Sequence, residues 1–178
     1  MAQGKSSVAA MVVLLAGLVA AAQAQSPTYT KTVSSSWNRV KRLVAASAES
    51  MPEANYSFKP TPEVRSFGEI IGHLANEHYM MCSDVKGEKN PQERVDFEKK
   101  TTKAELVKAL ADSSAYCDAA YNAAQDEAKM LQPVKPNRRD TPFGTLLLNV
   151  THDSEHYGNL VTYLRMKGIV PPSSQPTR

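Results

Sequence analysis

The stretch from Thr141 to Gly168, TPFGTLLLNVTHDSEHYGNLVTYLRMKG, constrains this chain more than any other, because both of its ends are written in the sequence. Thr141 is a good N-cap, and Pro142 falls at the first helical position, where a missing N–H costs nothing. Arg165 and Lys167 fall in the last turn, Gly168 can take the left-handed conformation that closes a helix, and Pro171-Pro172 forbid continuation. At helical spacing, Thr151, Ser154, Glu155, Gly158, Thr162 and Arg165 gather on one side of this helix. His152, Asp153, His156, Tyr157, Leu160, Tyr163 and Leu164 share the other. Two histidines four residues apart therefore point toward the interior of whatever this helix packs into.

The beginning of the chain reads differently. Lys5 supplies a positive flank, Val8 to Ala22 is an apolar and small-residue run, and Ala22-Gln23-Ala24 fits a cleavage site. The run is short for a membrane span, which takes about 20 residues. Residues 1–24 are therefore expected to be a signal peptide, with an uncleaved anchor as the alternative, and the mature protein to be periplasmic or secreted. Residues 25–33 are expected to be a flexible N-terminal segment, residues 34–172 one domain, and residues 173–178 a disordered tail. Removing the leader removes Lys5 and no acid, which leaves 20 basic residues facing 18 acidic ones. The charges are interspersed, without a basic stripe carrying aromatics, so a nucleic-acid partner is not supported. No later stretch is long and apolar enough to span a bilayer.

Three further helices are expected ahead of the last. The first spans roughly Ser34 to Glu49, with Trp37, Val40, Leu43 and Val44 at helical spacing and Trp37 in the core. A proline-rich connection from Met51 to Pro62 follows and lies over an end of the fold. The capping box Ser66-Phe67-Gly68-Glu69 opens the second helix, which runs to about Lys86 with Gly87 as its stop. Lys89 to Lys100 is polar and reads as loop. Thr102-Lys103-Ala104-Glu105 begins a third helix that continues to about Met130. Nothing reads as a strand. Helices of bundle length without strands make the chain an all-α four-helix bundle.

All four histidines fall on two of these helices. His152 and His156 can offer two ligands to one metal, because side chains at i and i+4 stand one above the other. A third from the second helix would complete three protein ligands and leave a position open, the catalytic arrangement rather than the closed structural one. Periodicity favours His78, central on that helix's apolar face, over His73 at its edge beside Glu69, Glu77 and Asp84. A site at a cleft mouth would sit at such an edge, and a central His78 could equally be a satisfied core histidine. His152-Asp153-Ser154-Glu155-His156 also fits H-x-x-E-H, but residues 157–178 hold no Asp, Glu, His or Cys to complete a zinc-peptidase site. Glu155 reads as solvated surface.

The segment Phe67-Gly-Glu-Ile-Ile-Gly-His73-Leu-Ala, preceded by Tyr56 to Arg65, resembles the second-helix region of DinB-like (DinB/YfiT) metal-binding bundles. His152-x-x-x-His156-Tyr-Gly-Asn and the run to Pro172 resemble their last helix and its exit. The resemblance covers about Trp37 to Ser173. It implies an up-down-down-up four-helix bundle holding one divalent metal through His73, His152 and His156, with His78 in reserve. Asn159 departs from it, since similar proteins often carry Gln there. The implied activities are metal-dependent transfer of low-molecular-weight thiols and glutathione- or mycothiol-dependent isomerisation, through Lewis-acid activation of a bound thiol or water. Asp153, Tyr157 and Glu77 are candidates for orienting ligands or moving protons, each with a packing or surface role as the alternative.

The two cysteines, Cys82 and Cys117, could join the second and third helices in an oxidising compartment, closing a loop worth on the order of 3 kcal/mol. Two buried thiols on different layers are the alternative. Export weighs against the thiol-transfer reading, because reduced thiol pools are cytosolic. Two expectations of different class result. One is a metal-dependent hydrolase or transferase acting on a small molecule, with zinc, nickel, manganese or iron as the ion and a homodimer as a possible assembly. The other is a non-catalytic exported bundle whose metal is structural or absent, acting in binding or stress protection. Imidazole suits several of these ions, so the metal is not named by its ligands.

Overall fold

The computed structural model describes residues 29–124, 126–133 and 141–176. The expected signal peptide of residues 1–24 lies outside them, as do residues 25–28 of the expected flexible segment. Four long helices and one short one occur among the described residues: α1 Tyr29–Ser50, α2 Phe67–Lys86, α3 Lys103–Ala123, the four-residue α4 Glu127–Met130, and α5 Pro142–Met166. Single 3₁₀ turns occur at Glu53–Asn55, Phe97–Lys99 and Pro172–Ser174. No strand occurs among the described residues. No helix among them is long and apolar enough to cross a membrane.

The helix ends follow the local chemistry. Ser66 accepts from the Glu69 backbone N–H while the Glu69 carboxylate accepts from Ser66 N–H, a complete capping box at the start of α2. At α3 Thr102 accepts from Glu105 N–H, and the Glu105 carboxylate takes the Thr102 hydroxyl and Lys100. Thr141 caps α5 by accepting from Gly144 N–H, with Pro142 in the first turn. Gly87 and Gly168 have φ of 67° and 72°, and the bonds Glu88 N–H to Ser83 O and Ile169 N–H to Leu164 O close both helices as Schellman motifs.

Directions follow from the contacts. The disulfide Cys82–Cys117 joins the C-terminal halves of α2 and α3, so these helices are parallel. Tyr163, late in α5, donates to Arg65 O at the entrance to α2, so α5 runs against α2. Trp37, early in α1, donates to Asp118, late in α3, and Lys103 bonds Glu49 O and Met51 O at the opposite ends. Helix α1 is therefore antiparallel to α3, and the order is up-down-down-up. Helix α2 packs on α3 and α5, and α1 closes the ring against the same two. Trp37 is sealed in the centre, stacked on Tyr121 with ring centroids 4.9 Å apart and meeting His78 edge-on at 5.1 Å.

Three expectations differ from the structure. Helix α1 starts at Tyr29, not Ser34: Thr30 and Val33 are buried, and that burial extends the helix over part of the segment expected to be flexible. Helix α3 ends at Ala123, not Met130, and after residue 125 Asp126 caps the separate turn α4 by accepting from Lys129 N–H. Of the expected tail, residues 177–178 lie outside the described residues, and residues 173–176 are held by contacts rather than free. Ser173 N–H donates to the Tyr157 hydroxyl, Arg165 bonds Ser174, and the Gln175 amide reaches Val170 O.

Candidate metal centre

His73 leaves α2 toward α5, where His152 and His156 stand one turn apart. His152 Nε2 lies 3.2 Å from His73 Nε2 and 3.2 Å from His156 Nε2. One ligand atom from each of the three lies within 4.8 Å of the other two. Imidazole nitrogens each about 2.1 Å from a single ion stand roughly 3.0–3.4 Å apart, whether at right angles or tetrahedral. The two separations from His152 Nε2 fall in that interval, and the donor set suits a divalent ion.

The far nitrogens show how two of the rings are held. His73 Nδ1 meets Glu98 Oε1 at 2.9 Å, which places the proton on Nδ1 and the Nε2 lone pair toward the cluster. Arg65 in turn bonds Glu98 at 2.9 and 3.5 Å. His156 Nδ1 meets the Asn159 amide at 3.3 Å. The shorter amide flagged by the sequence does reach the ring, and it can present nitrogen or oxygen to suit either tautomer. His152 Nδ1 is buried without a hydrogen-bond partner among the described residues.

Burial and the neighbouring rings favour the neutral form of His152 and His156, the form that binds metal. Desolvation, then the proximity of His152 and His73, pushes His156 down to about 4. Desolvation and His73 push His152 down as well.

Glu98 was not legible in the sequence. It sits in the 3₁₀ turn Phe97–Lys99 of the polar loop, and the structure shows why that turn is in place. Asn76 on α2 accepts from Phe97 N–H and donates to Asp96, whose carboxylate also accepts from Glu98 N–H. Gly72 completes the seat: a Cβ there would lie 2.4 Å from Phe97 O. The glycine just before His73 thus lets a loop backbone touch the helix and bring Glu98 to the ring.

The remaining sequence candidates lie elsewhere. His78 is buried, with Nε2 at 3.1 and 3.0 Å from the two Asp153 carboxylate oxygens and Nδ1 at 3.1 Å from Ser113 Oγ. It is the satisfied core histidine, and Asp153 faces it rather than the cluster. Tyr157 holds the C-terminal turn through Ser173. Glu77 lines a separate cleft of about 480 Å³ with Tyr79, Met80 and Asp84. Glu155 is exposed, as expected, but lies on the wall of the cleft that reaches His156. That cleft, about 610 Å³, is walled by Val64, Arg65, Ile70, Asn159 and Tyr163.

Comparison with known proteins accords with this geometry. The sequence profile of the DinB superfamily matches residues 36–160, well over half of the chain. The chain belongs to the DinB superfamily. No curated protein matches it. Among solved structures, a conserved protein from Enterococcus faecalis superposes with a TM-score of 0.64 at 18% identity, covering 79% of this chain and 98% of that one. At that identity the likeness speaks for the bundle of this DinB-superfamily chain and for nothing finer.

Proposed function

We propose that the protein is an exported metal-dependent hydrolase or group transferase acting on a small molecule, with His73, His152 and His156 holding one divalent ion. One observation carries the reading: three imidazoles converge, with His156 on the wall of an open cleft, and no fourth His, Cys, Asp or Glu joins their cluster among the described residues. Three protein ligands and an open side are the pattern of catalytic sites, whereas structural sites are closed by a fourth. When bound, the ion supplies Lewis acidity and a water or thiol made nucleophilic near neutral pH. Glu98 holds the His73 proton on Nδ1 and keeps Nε2 available. Asn159 steadies His156. Val64, Ile70 and Tyr163 give the cleft an apolar wall that excludes water from a bound substrate, and the exposed Glu155 carboxylate stands at that wall to exchange protons with solvent.

The Cys82–Cys117 disulfide supports export, since such bonds persist in oxidising compartments. It also favours hydrolysis over transfer of a reduced thiol. The test is elemental analysis of the purified mature protein beside a His152→Ala/His156→Ala variant. About one equivalent of metal in the wild type, absent from a variant that still melts cooperatively, is the expected result. Metal-loaded and chelated protein are then compared on a panel of chromogenic esters, amides and phosphoesters. Absence of metal after incubation with zinc, nickel, manganese and iron overturns the reading and returns the histidines to packing.

A further inference from the structure

The Asp153 carboxylate and the His78 ring are 0% and 1% exposed, within a core built mostly of aliphatic and aromatic side chains. With Ser113 they make a Ser–His–Asp arrangement, but a sealed one. The Ser113 hydroxyl is buried and also bonds Leu110 O, and the Trp37 ring lies edge-on to His78. No substrate reaches it, so nucleophilic catalysis is excluded and another reason for the buried pair is needed. A buried carboxylate–imidazole pair is a poor stabiliser: an apolar pair of similar volume often serves the fold as well or better. The attested use of such pairs is to fix register.

We propose that the Asp153–His78 pair is the register lock that sets the spacing of the three metal-candidate histidines, and that both are positioning residues. Asp153 follows His152 directly, and His78 lies five residues beyond His73, about 7.5 Å further along α2. The same two helices that carry the three imidazoles are thus tied at a second level and a different angle. Leucine and isoleucine faces tolerate a small rotation or slide, because apolar contact has no direction. Two carboxylate oxygens on one ring nitrogen at 3.0 and 3.1 Å do not. The third anchor, Ser113 on α3, adds the helix that the disulfide already fastens to α2. A slide of α5 by a fraction of a turn would leave its apolar face buried and separate His152 and His156 from His73.

The inference rests on the metal reading for its consequence but not for its geometry, and the experiment keeps the two apart. The variants are His78→Leu/Asp153→Val, which replaces the pair by apolar groups, and Asp153→Asn, which keeps the shape should the first fail to fold. Each is measured metal-free by thermal melting and by crystal structure, then titrated with zinc against a chelator of known affinity. A melting temperature at or above that of the metal-free wild type in the double variant, with zinc affinity reduced about tenfold or more, is expected. Asp153→Asn is expected to fold and to fall between. Zinc affinity equal to wild type in a folded variant overturns the lock. If the wild type itself binds no zinc, the metal reading fails alone, and the crystal structures decide. Nε2 separations that drift from 3.2 Å in the variants uphold the lock, and unchanged separations overturn it.

Discussion

Glu98 Oε1 stands 2.9 Å from His73 Nδ1, on the side of the ring opposite His152. A loop carboxylate thus fixes the tautomer of a helix histidine 25 positions away in sequence. Carboxylates placed in this way orient a ligand ring and raise its basicity, and losing one costs typically about 10–100-fold in metal affinity. Glu98→Gln is therefore expected to weaken zinc binding by about that factor. The Arg65–Glu98 pair is exposed, so its loss should cost the fold no more than about 1 kcal/mol. Competition titration paired with a metal-free melt checks both. Unchanged affinity would show that Glu98 is only a surface partner of Arg65.

Gly72→Ala tests the seat rather than the carboxylate. The added Cβ meets the Phe97 carbonyl oxygen at 2.4 Å and its carbon at 2.6 Å, and backbone cannot rotate aside as a side chain can. The turn must lift, at an expected cost of about 1–3 kcal/mol. Because Glu98 rides on that turn, zinc affinity should fall together with stability, and amide exchange at residues 97–99 should rise. A variant that melts like wild type and keeps its affinity would mean that the turn moves freely.

Much of the fold was legible because the ends of α2 and α5 carry their own chemistry: the Ser66 capping box, Pro142 after Thr141, and glycines at 87 and 168. His152 and His156 were legible too, since spacing alone sets them on one face. Periodicity favoured His78 over His73, whereas the structure groups His73, not His78, with His152 and His156. An edge position faces a cleft mouth and a central one faces the core. Glu98 was hidden for a different reason. It lies in an aperiodic polar loop, and only the approach of that loop to Gly72, a tertiary contact, gives it a role. Residues 29–33 were misjudged because their few apolar positions look weak alone, although α1 gains from burying Thr30 and Val33.

The disulfide predicts a stability effect that spares the site. Cys82 and Cys117 are separated by 35 positions, and bridging a loop of that size is worth about 3–4 kcal/mol in the entropy model. Cys82→Ser/Cys117→Ser should therefore lower the denaturant midpoint and steepen the slope, because the unfolded chain without the cross-link exposes more surface. The three histidines lie on α2 and α5, whereas the bond joins α2 to α3, so zinc stoichiometry should persist in the folded variant. Loss of metal at full folding would show that the bond also holds α2 in its place beside α5.

Acid should destabilise the metal-free protein before its carboxylates titrate. His156 has a folded-state pKa pushed down to about 4 from an ordinary 6.5, by burial and then by His152 and His73. Between those values the unfolded chain binds more protons than the folded one, so stability rises with pH across that interval. The contribution is fully present above pH 6.5 and is lost as pH falls from there through about 4. His152, pushed in the same direction, adds to the slope. Chelated wild type is therefore expected to hold a steady melting temperature above about pH 7 and to decline below about 6.5, with His156→Gln declining less steeply. Zinc should sharpen the acid limb, because protons then compete with the ion for the same nitrogens. Identical slopes for wild type and His156→Gln would show that this ring is solvated rather than buried.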